Sequence, residues 1–254
     1  MIESLVSVII PCFNHADELP RAVSSVLLQR YLHEIIIIDD CSSDNSFQVA
    51  ERLAGIDPRI AVFRTKENSG PASARNLGAR FATGHYLSFL DADDEYLDEF
   101  LLMSVAALEA STEMQAVKTW VEFLSDSGEP VLAADDPRVE ALVFSLPGNM
   151  VLLTEAFRKL GGFPENPVFR QGFGGEDVAF NQAVAKYLTP LGRIETVGYR
   201  IWCQPGDHLD RFLGNTEVKG RDFSFIDVAD EQKPGGILDV AIEAYLADAG
   251  KRMA

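Results

Sequence analysis

Apolar residues in the first hundred positions follow two alternating periods. Residues 5–11 (LVSVIIP) form a short run rich in β-branched side chains that ends at proline, the pattern of a buried strand. Leu19, Ala22, Val23, Val26 and Leu27 then recur at helical spacing, with Asp17 and Glu18 just ahead, where the helix dipole favours acids. Residues 34–40 (EIIIIDD) predict a second strand, apolar on both faces as in a sheet covered by helices on each side. A helix over 44–54, a strand over 59–65, a helix over 70–82 opened by Pro71, and a strand over 85–90 (HYLSFL) complete the series. Alternation of this kind implies a parallel sheet with right-handed crossovers.

Past residue 94 the rhythm changes. The pattern predicts a helix over 97–110, a strand over 116–124 and a turn at Ser127-Gly128. Residues 135–147 read as a polar loop with one helical turn at most. A strand over 150–153 leads into a short helix over 154–160, closed by Gly161-Gly162 as a C-cap. A helix over 177–188 and a mostly extended stretch over 193–203 follow. Residues 206–236 read as irregular, and 237–248 as an amphipathic helix. With no repeat, low-complexity tract or linker, the expected organisation is one α/β domain over 1–232 and a C-terminal helical tail over 233–254.

The 254 residues are enough to bury a core without a disulfide or metal staple. The charge is 22 basic against 39 acidic residues, 22 − 39 = −17, which excludes the basic footprint of a nucleic-acid groove and broad docking on anionic lipid. Any phosphorylated ligand would need local positive charge, from placed Arg or Lys or from a bound metal. Cys12, Cys41 and Cys203 are few and far apart, which fits a reducing compartment, and no Cys/His group has zinc-ligand spacing. The N-terminus lacks the pattern of a signal peptide and nothing is long enough to span a membrane, so a cytoplasmic protein is expected.

In open α/β sheets, ligands bind beyond the carboxyl ends of the strands. Those ends carry Pro11-Cys12-Phe13-Asn14, Asp39-Asp40, residues 66–70 and residues 91–94. Neither G-x-G-x-x-G nor G-x-x-x-x-G-K-[ST] follows the first strand, which argues against a nicotinamide dehydrogenase and a P-loop enzyme. Gly172-Phe173-Gly174-Gly175 is glycine-rich but follows no strong strand. Asp91-Ala92-Asp93 places two carboxylates on the same side of an extended chain, where they can share one hard divalent cation with diphosphate oxygens; the competing reading is a solvated acidic turn.

Four segments occur in order: VSVIIPCFN, IIIIDDCSSD, NSGPASARNLGA and LSFLDADD. Together they resemble the nucleotide-binding half of a GT-A glycosyltransferase of family 2. Leu160-Gly161-Gly162-Phe163-Pro164 and Gly175-Glu176-Asp177 extend the resemblance into the second half. It implies a Rossmann-like nucleotide-diphospho-sugar transferase fold, with a mostly parallel central sheet flanked by helices. The nucleotide-binding half would be 1–95 and the acceptor-side half 96–205. The implied activity is metal-dependent, inverting transfer from a nucleotide-diphosphate sugar, a UDP-sugar, to a hydroxyl acceptor. That acceptor is a glycan, a lipid-linked or a small molecule, in polysaccharide or glycoconjugate synthesis.

By the same resemblance Pro11, Phe13 and Asn14 line the nucleotide pocket, and Asp40 accepts a hydrogen bond from the base, which suits the N3–H of uracil. Arg75 faces the nucleotide or orients the acidic motif. Asp93 is the direct ligand of Mn²⁺ or Mg²⁺, Asp91 contacts ribose or the metal through water, and Ala92 lies between them. Asp177, beside Glu176, is the catalytic base, with Phe173 as an apolar wall, and His208 is a third metal ligand. The plainer readings are capping or turn roles for Asp39 and Asp40, a surface role for Arg75, an acid pair at a helix start for Glu176-Asp177, and a loop histidine at 208. For the whole chain, the rival is a non-catalytic nucleotide-sugar or glycan-binding module. A nucleotidyltransferase would want a basic glycine-rich loop that is absent. The C-terminal helix carries Asp239, Glu243 and Asp248, unlike a basic membrane foot, so it is expected to pack on the domain or to join two subunits as a homodimer.

Overall fold

A computed structural model describes residues 5–133, 135–170, 175–225 and 237–254. The first half is built as its hydrophobic rhythm predicts. Strands β1 (Val6–Cys12), β2 (Leu32–Asp39), β3 (Ile60–Arg64) and β4 (Tyr86–Phe89) pair in parallel in the order β3-β2-β1-β4. Helices α1 (Leu19–Leu27), α2 (Ser46–Ile56) and α3 (Pro71–Phe81) connect them. The four isoleucines of β2 split by parity. Ile35 and Ile37 join the apolar cluster with Leu19, Val23 and Val26 of α1 and Val49 of α2. Ile36 and Ile38 join the opposite cluster with Ala72, Ala74 and Ala79 of α3. Side chains on a strand alternate faces, so a strand buried on both faces must be apolar throughout. Small residues let α3 lie close on the sheet: a Cβ at Gly78 would meet Ile9 Cγ2 at 2.5 Å.

The second half continues the same sheet. It adds β5 (Glu95–Tyr96), α4 (Phe100–Glu109), β6 (Ala116–Ser125), α5 (Arg138–Ser145), β7 (Met150–Leu153), α6 (Thr154–Leu160), α7 (Glu176–Tyr187) and β8 (Leu191–Cys203). The order runs on as β4-β7-β6-β8-β5, with β7 antiparallel to both neighbours, β8 parallel to β6, and β5 antiparallel to β8. The helix expected from residue 97 starts instead at Phe100, because Glu95 and Tyr96 pair with Arg200 and Tyr199, and Leu97 N–H donates to Gly198 O.

Two expectations of loop are corrected. Residues 135–147 contain a two-turn helix, α5, whose buried Val139 and Val143 are one turn apart. The stretch from 206 holds α8 (His208–Gly214) and a hairpin of β9 (Thr216–Lys219) with β10 (Asp222–Phe225). The Asp207 carboxylate caps α8 by accepting from Asp210 N–H at 2.7 Å, a Ser/Thr/Asp/Asn N-cap of the ordinary kind. Residues 226–236 lie outside the described residues.

The C-terminal helix α9 (Ile237–Met253) packs on the domain, against α6 and α7. Tyr245 Oη donates to Gly162 O at 2.6 Å, Arg252 Nε to Leu160 O at 3.1 Å, and Tyr187 Oη of α7 to Leu246 O at 2.8 Å. Ala249 is fully buried at this contact. Among the described residues no helix is long and apolar enough to cross a membrane.

Candidate active site

The carboxyl ends of β1, β2 and β4 bring the acids and amides of the four ordered segments to one edge of the sheet. Asn14, at φ 59°, turns the chain out of β1. Its Oδ1 accepts from Ser43 N–H at 2.8 Å, and its own N–H donates to Ser42 Oγ at 3.0 Å. Phe13 beside it is exposed, at 41%, leaving a free aromatic face at the mouth of the edge. Asp39 and Asp40 point to different partners. Asp39 is fully buried and pairs with Arg64 Nε at 3.1 Å. Asp40 accepts from Gly70 N–H at 2.7 Å, Ser69 N–H at 3.0 Å and Thr65 Oγ1 at 2.9 Å. Asp40 therefore holds the turn that opens α3, whose N-cap Gly70 adopts φ 88°. The capping role foreseen as the plainer reading is present.

Arg75 joins the two halves. It lies one turn into α3, its side chain only 3% exposed, and its two terminal nitrogens reach different acids. Nη2 donates to Asp91 Oδ1 at 2.6 Å and Nη1 to Asp177 Oδ1 at 2.7 Å. A planar guanidinium can fork in this way where an ammonium cannot. Burial on its own would lower the Arg75 pKa; the charges of Asp177 and Asp91 reverse that and raise it. Beneath the guanidinium, 5.2 Å from its carbon, is the ring of Phe163. Asn76, the next residue of α3, exchanges two hydrogen bonds with Phe163: Nδ2 to its O at 2.9 Å, and its N–H to Oδ1 at 2.8 Å. Gly162, at φ 74°, has no room for a Cβ because Asn76 Oδ1 occupies the place. The ARN and GGF segments are thus one structure, a seat for Arg75.

The turn 91–94 is fastened from three sides. Asp94 N–H donates to Asp91 O at 3.1 Å, closing the turn. The Asp94 carboxylate accepts from Tyr199 Oη at 2.7 Å and Trp202 N–H at 3.2 Å, both on β8. Arg21 of α1 donates to Asp93 O at 2.6 Å, with its guanidinium 4.8 Å from the Trp202 ring centre. Arg21 and Asp94 were not singled out by sequence; Asp94 stood inside the quoted LSFLDADD segment, whereas Arg21 is one arginine on a helix and carries no local signal. Ala92 is buried between the two acids.

The acids differ in their charge compensation. Asp91 has Arg75 on one oxygen. Among the described residues, no cationic side chain pairs with the Asp93 carboxylate, and burial followed by the Asp91 charge raises its pKa. A partly buried carboxylate with no cationic partner, beside a second one with an oxygen to spare, is a hard oxygen donor set, and it fits Mg²⁺ or Mn²⁺. His208 opens α8, and among the described residues no group of three His, Cys, Asp or Glu side chains comes together as a ready metal cluster. The structure does not bring His208 to Asp91 and Asp93 as a third member.

Asp177 and Glu176 occupy the first turn of α7, after Gly175 at φ 126°. Burial, opposed by Arg75 and reinforced by Glu176 and Asp91, brings the Asp177 carboxyl up to about 7. The helix N-terminus tends to lower a carboxyl's pKa, so here burial wins. Phe173, expected as an apolar wall, lies outside the described residues, as do Gly172 and Gly174.

A Rossmann-like parallel half, an antiparallel-containing second half, and acids from both meeting at one buried arginine define the GT-A class of glycosyltransferase. The family model described as Glycosyl transferase family 2 matches residues 7–150, more than half of the chain, and the chain belongs to that family. It is similar to the Putative teichuronic acid biosynthesis glycosyltransferase TuaG of Bacillus subtilis, 46% identical over 93 residues, which cover 36% of this chain and 37% of that protein. It is also similar to the UDP-Glc:alpha-D-GlcNAc-diphosphoundecaprenol beta-1,3-glucosyltransferase WfgD of Escherichia coli, 36% identical over 110 residues, 42% of each chain. The chain thus spans about two fifths of the length of these curated relatives. Among solved structures, S. aureus TarS 1-349 in complex with UDP-GlcNAc superposes with a TM-score of 0.63 at 20% identity, covering 81% of this chain and 60% of that one. At that identity the likeness concerns the fold.

Proposed function

We propose that this chain transfers a sugar from a UDP-sugar to a hydroxyl acceptor with inversion at the anomeric carbon, in the synthesis of a polysaccharide or glycoconjugate. The observation that carries this reading is the Asp91–Arg75–Asp177 bridge. It sets the donor-side acid and the candidate base at opposite nitrogens of one buried guanidinium. The relatives' names, one a teichuronic acid biosynthesis enzyme and one a UDP-glucose-dependent glucosyltransferase, support the substrate class.

In this reading Phe13 stacks on the base and Asn14 and Asp40 shape its pocket, with Pro11 behind them. Asp93, with Asp91 beside it, would hold Mg²⁺ or Mn²⁺. Bound there, the cation supplies positive charge to the diphosphate as it departs. Asp177 accepts the proton of the acceptor hydroxyl while that oxygen bonds to the anomeric carbon. The bond from the anomeric carbon to the diphosphate oxygen breaks in the same displacement, and its electron pair leaves with UDP. One displacement needs one base and no protein nucleophile, so configuration inverts, as in inverting glycosidases. Burial, with the charge of the adjacent Glu176 added to it, brings the Asp177 carboxyl up toward neutrality. The three free cysteines, Cys12, Cys41 and Cys203, are compatible with a cytoplasmic setting.

The test is a panel of UDP-sugars with Mn²⁺, reading UDP release and product configuration by NMR. An α-linked donor yielding a β-linked product is expected. A retained configuration, or no turnover and no binding of any UDP-sugar, overturns the reading.

A further inference from the structure

Lys118 is the third residue of β6, between the buried Val117 and Thr119, and is only 5% exposed. Lysine is rarely buried without a partner. Its Nζ donates to Phe144 O, Leu146 O and Asn181 Oδ1, each at 2.7 Å. Asn181, one turn after Asp177 on α7, donates through Nδ2 to Ser145 O at 2.7 Å and to Asp177 O at 2.9 Å. Both Nδ2 partners are carbonyls, so the amide orientation is settled and its oxygen must face the lysine. Lys118 then meets acceptors only. A neutral amine has two N–H groups and a lone pair, so three acceptors call for the ammonium. Burial pulls the lysine's pKa well below its usual value; Asp177 pulls the other way and Arg193 adds to the fall. Phe144 and Leu146 lie at the C-terminal end of α5, where the helix dipole favours a cation.

The two side chains thus bind three consecutive carbonyls of the α5 end, residues 144 to 146, and the carbonyl of Asp177. They fasten β6, α5 and the first turn of α7 to one another. An apolar side chain would fill the space without the desolvation cost. The charge therefore matters for what it faces.

We propose that Lys118 and Asn181 are positioning residues for Asp177, fixing the turn that carries it and supplying a buried positive charge behind its carboxylate. This rests on Asp177 being the base. The charged groups around Asp177 come from four directions: Arg75 of α3, Asp91 of the turn after β4, Glu176 of α7 itself, and Lys118 of β6. Lys118 is the member of that set on the sheet side, and it does not touch the donor-side acids.

The experiment compares wild type with Lys118→Met in two readings. One is steady-state UDP release from UDP-hexoses in Mn²⁺. The other is the titration of the Asp177 carboxyl carbon by ¹³C NMR, its signal identified by its loss in Asp177→Asn. A displaced base costs about tenfold or more in kcat, with donor KM within about twofold. Loss of a facing cation raises the Asp177 titration by roughly half a unit or more. A folded Lys118→Met with both readings unchanged overturns the proposal. So does a fall in kcat matched by an equal loss of UDP affinity while the titration stays put, because that is general damage. Where Lys118→Met does not fold, Asn181→Asp takes its place: it keeps an acceptor for the lysine and deletes the donations to Ser145 and Asp177. Should wild type release no UDP from any donor, the functional reading falls, and the titration alone decides: a shift supports the positioning role, no shift overturns it.

Discussion

Arg75 sets the chemistry at the residue scale because it is buried and bound to two carboxylates at once. A single guanidinium shared between Asp91 and Asp177 cannot neutralise both. The surplus of negative charge, together with burial, leaves Asp177 with a pKa of about 7 instead of the usual carboxylate value. A general base is most effective when its pKa lies near the working pH. The sign follows directly. Asp177 accepts a proton only as the carboxylate, so kcat should fall as pH drops through about 7. At one pH unit lower, about a tenth of the molecules hold the base ready. Asp177→Asn should remove that limb along with the transfer, while UDP affinity measured by calorimetry stays within about twofold, since Arg75 keeps its bond to Asp91 through the other nitrogen. If Asp177→Asn transfers sugar at the wild-type rate, Glu176 or another group is the base.

At the element scale, α3 lies within one residue of its predicted bounds at each end, and its place on the sheet has a steric reason. Its small residues Ala72, Ala74, Gly78 and Ala79 lie on the sheet, and this closeness brings Arg75 and Asn76 to the edge. Gly78→Ala gains about 1 kcal/mol in helix propensity. Its Cβ, however, would meet Ile9 Cγ2 at 2.5 Å, in a core with no slack. Overpacking costs about 1–3 kcal/mol, so the net is a loss, read as a lower midpoint in urea. An unchanged or raised midpoint would mean that α3 can lift from the sheet. Strands buried on both faces were legible because their apolar pattern is continuous: β1, β2 and β7 lie where the sequence predicts them, and α6 does so through its Gly161-Gly162 stop. Helix α5 was not, since it is only eight residues long and buries only Val139 and Val143, while Ala141, Leu142 and Phe144 stay partly or fully exposed and blur its apolar face. Acids at strand ends were legible as a site. Lys118 and Asn181 were not, because their partners are backbone carbonyls from a helix that the pattern itself did not reveal.

The whole molecule carries a net charge of −17, and several of its acids meet at the edge of the sheet where the proposed function puts the diphosphate. Asp91 and Asp93 follow β4, Asp177 and Glu176 open α7, and Arg75 is already committed to two of them. The charge of Arg75 is therefore spoken for. A diphosphate brought to this edge faces like charges a few ångströms away, and repulsion there is weakly screened because the surroundings are partly buried. An added cation at Asp93, whose pKa is raised by burial and then by the Asp91 charge, changes that balance. UDP should therefore bind in Mn²⁺ and lose affinity by about a hundredfold or more when EDTA removes the metal, a loss typical of an essential ion bridging ligand and protein. Asp93→Ala should bind UDP weakly with or without Mn²⁺, so that EDTA has little left to remove. Equal UDP affinity in Mn²⁺ and in EDTA would show that the protein's own cations suffice. The acidic edge would then have to be screened by Arg75 turning from its carboxylates to the phosphates, and Arg75→Met, rather than Asp93→Ala, would be the variant that abolishes binding.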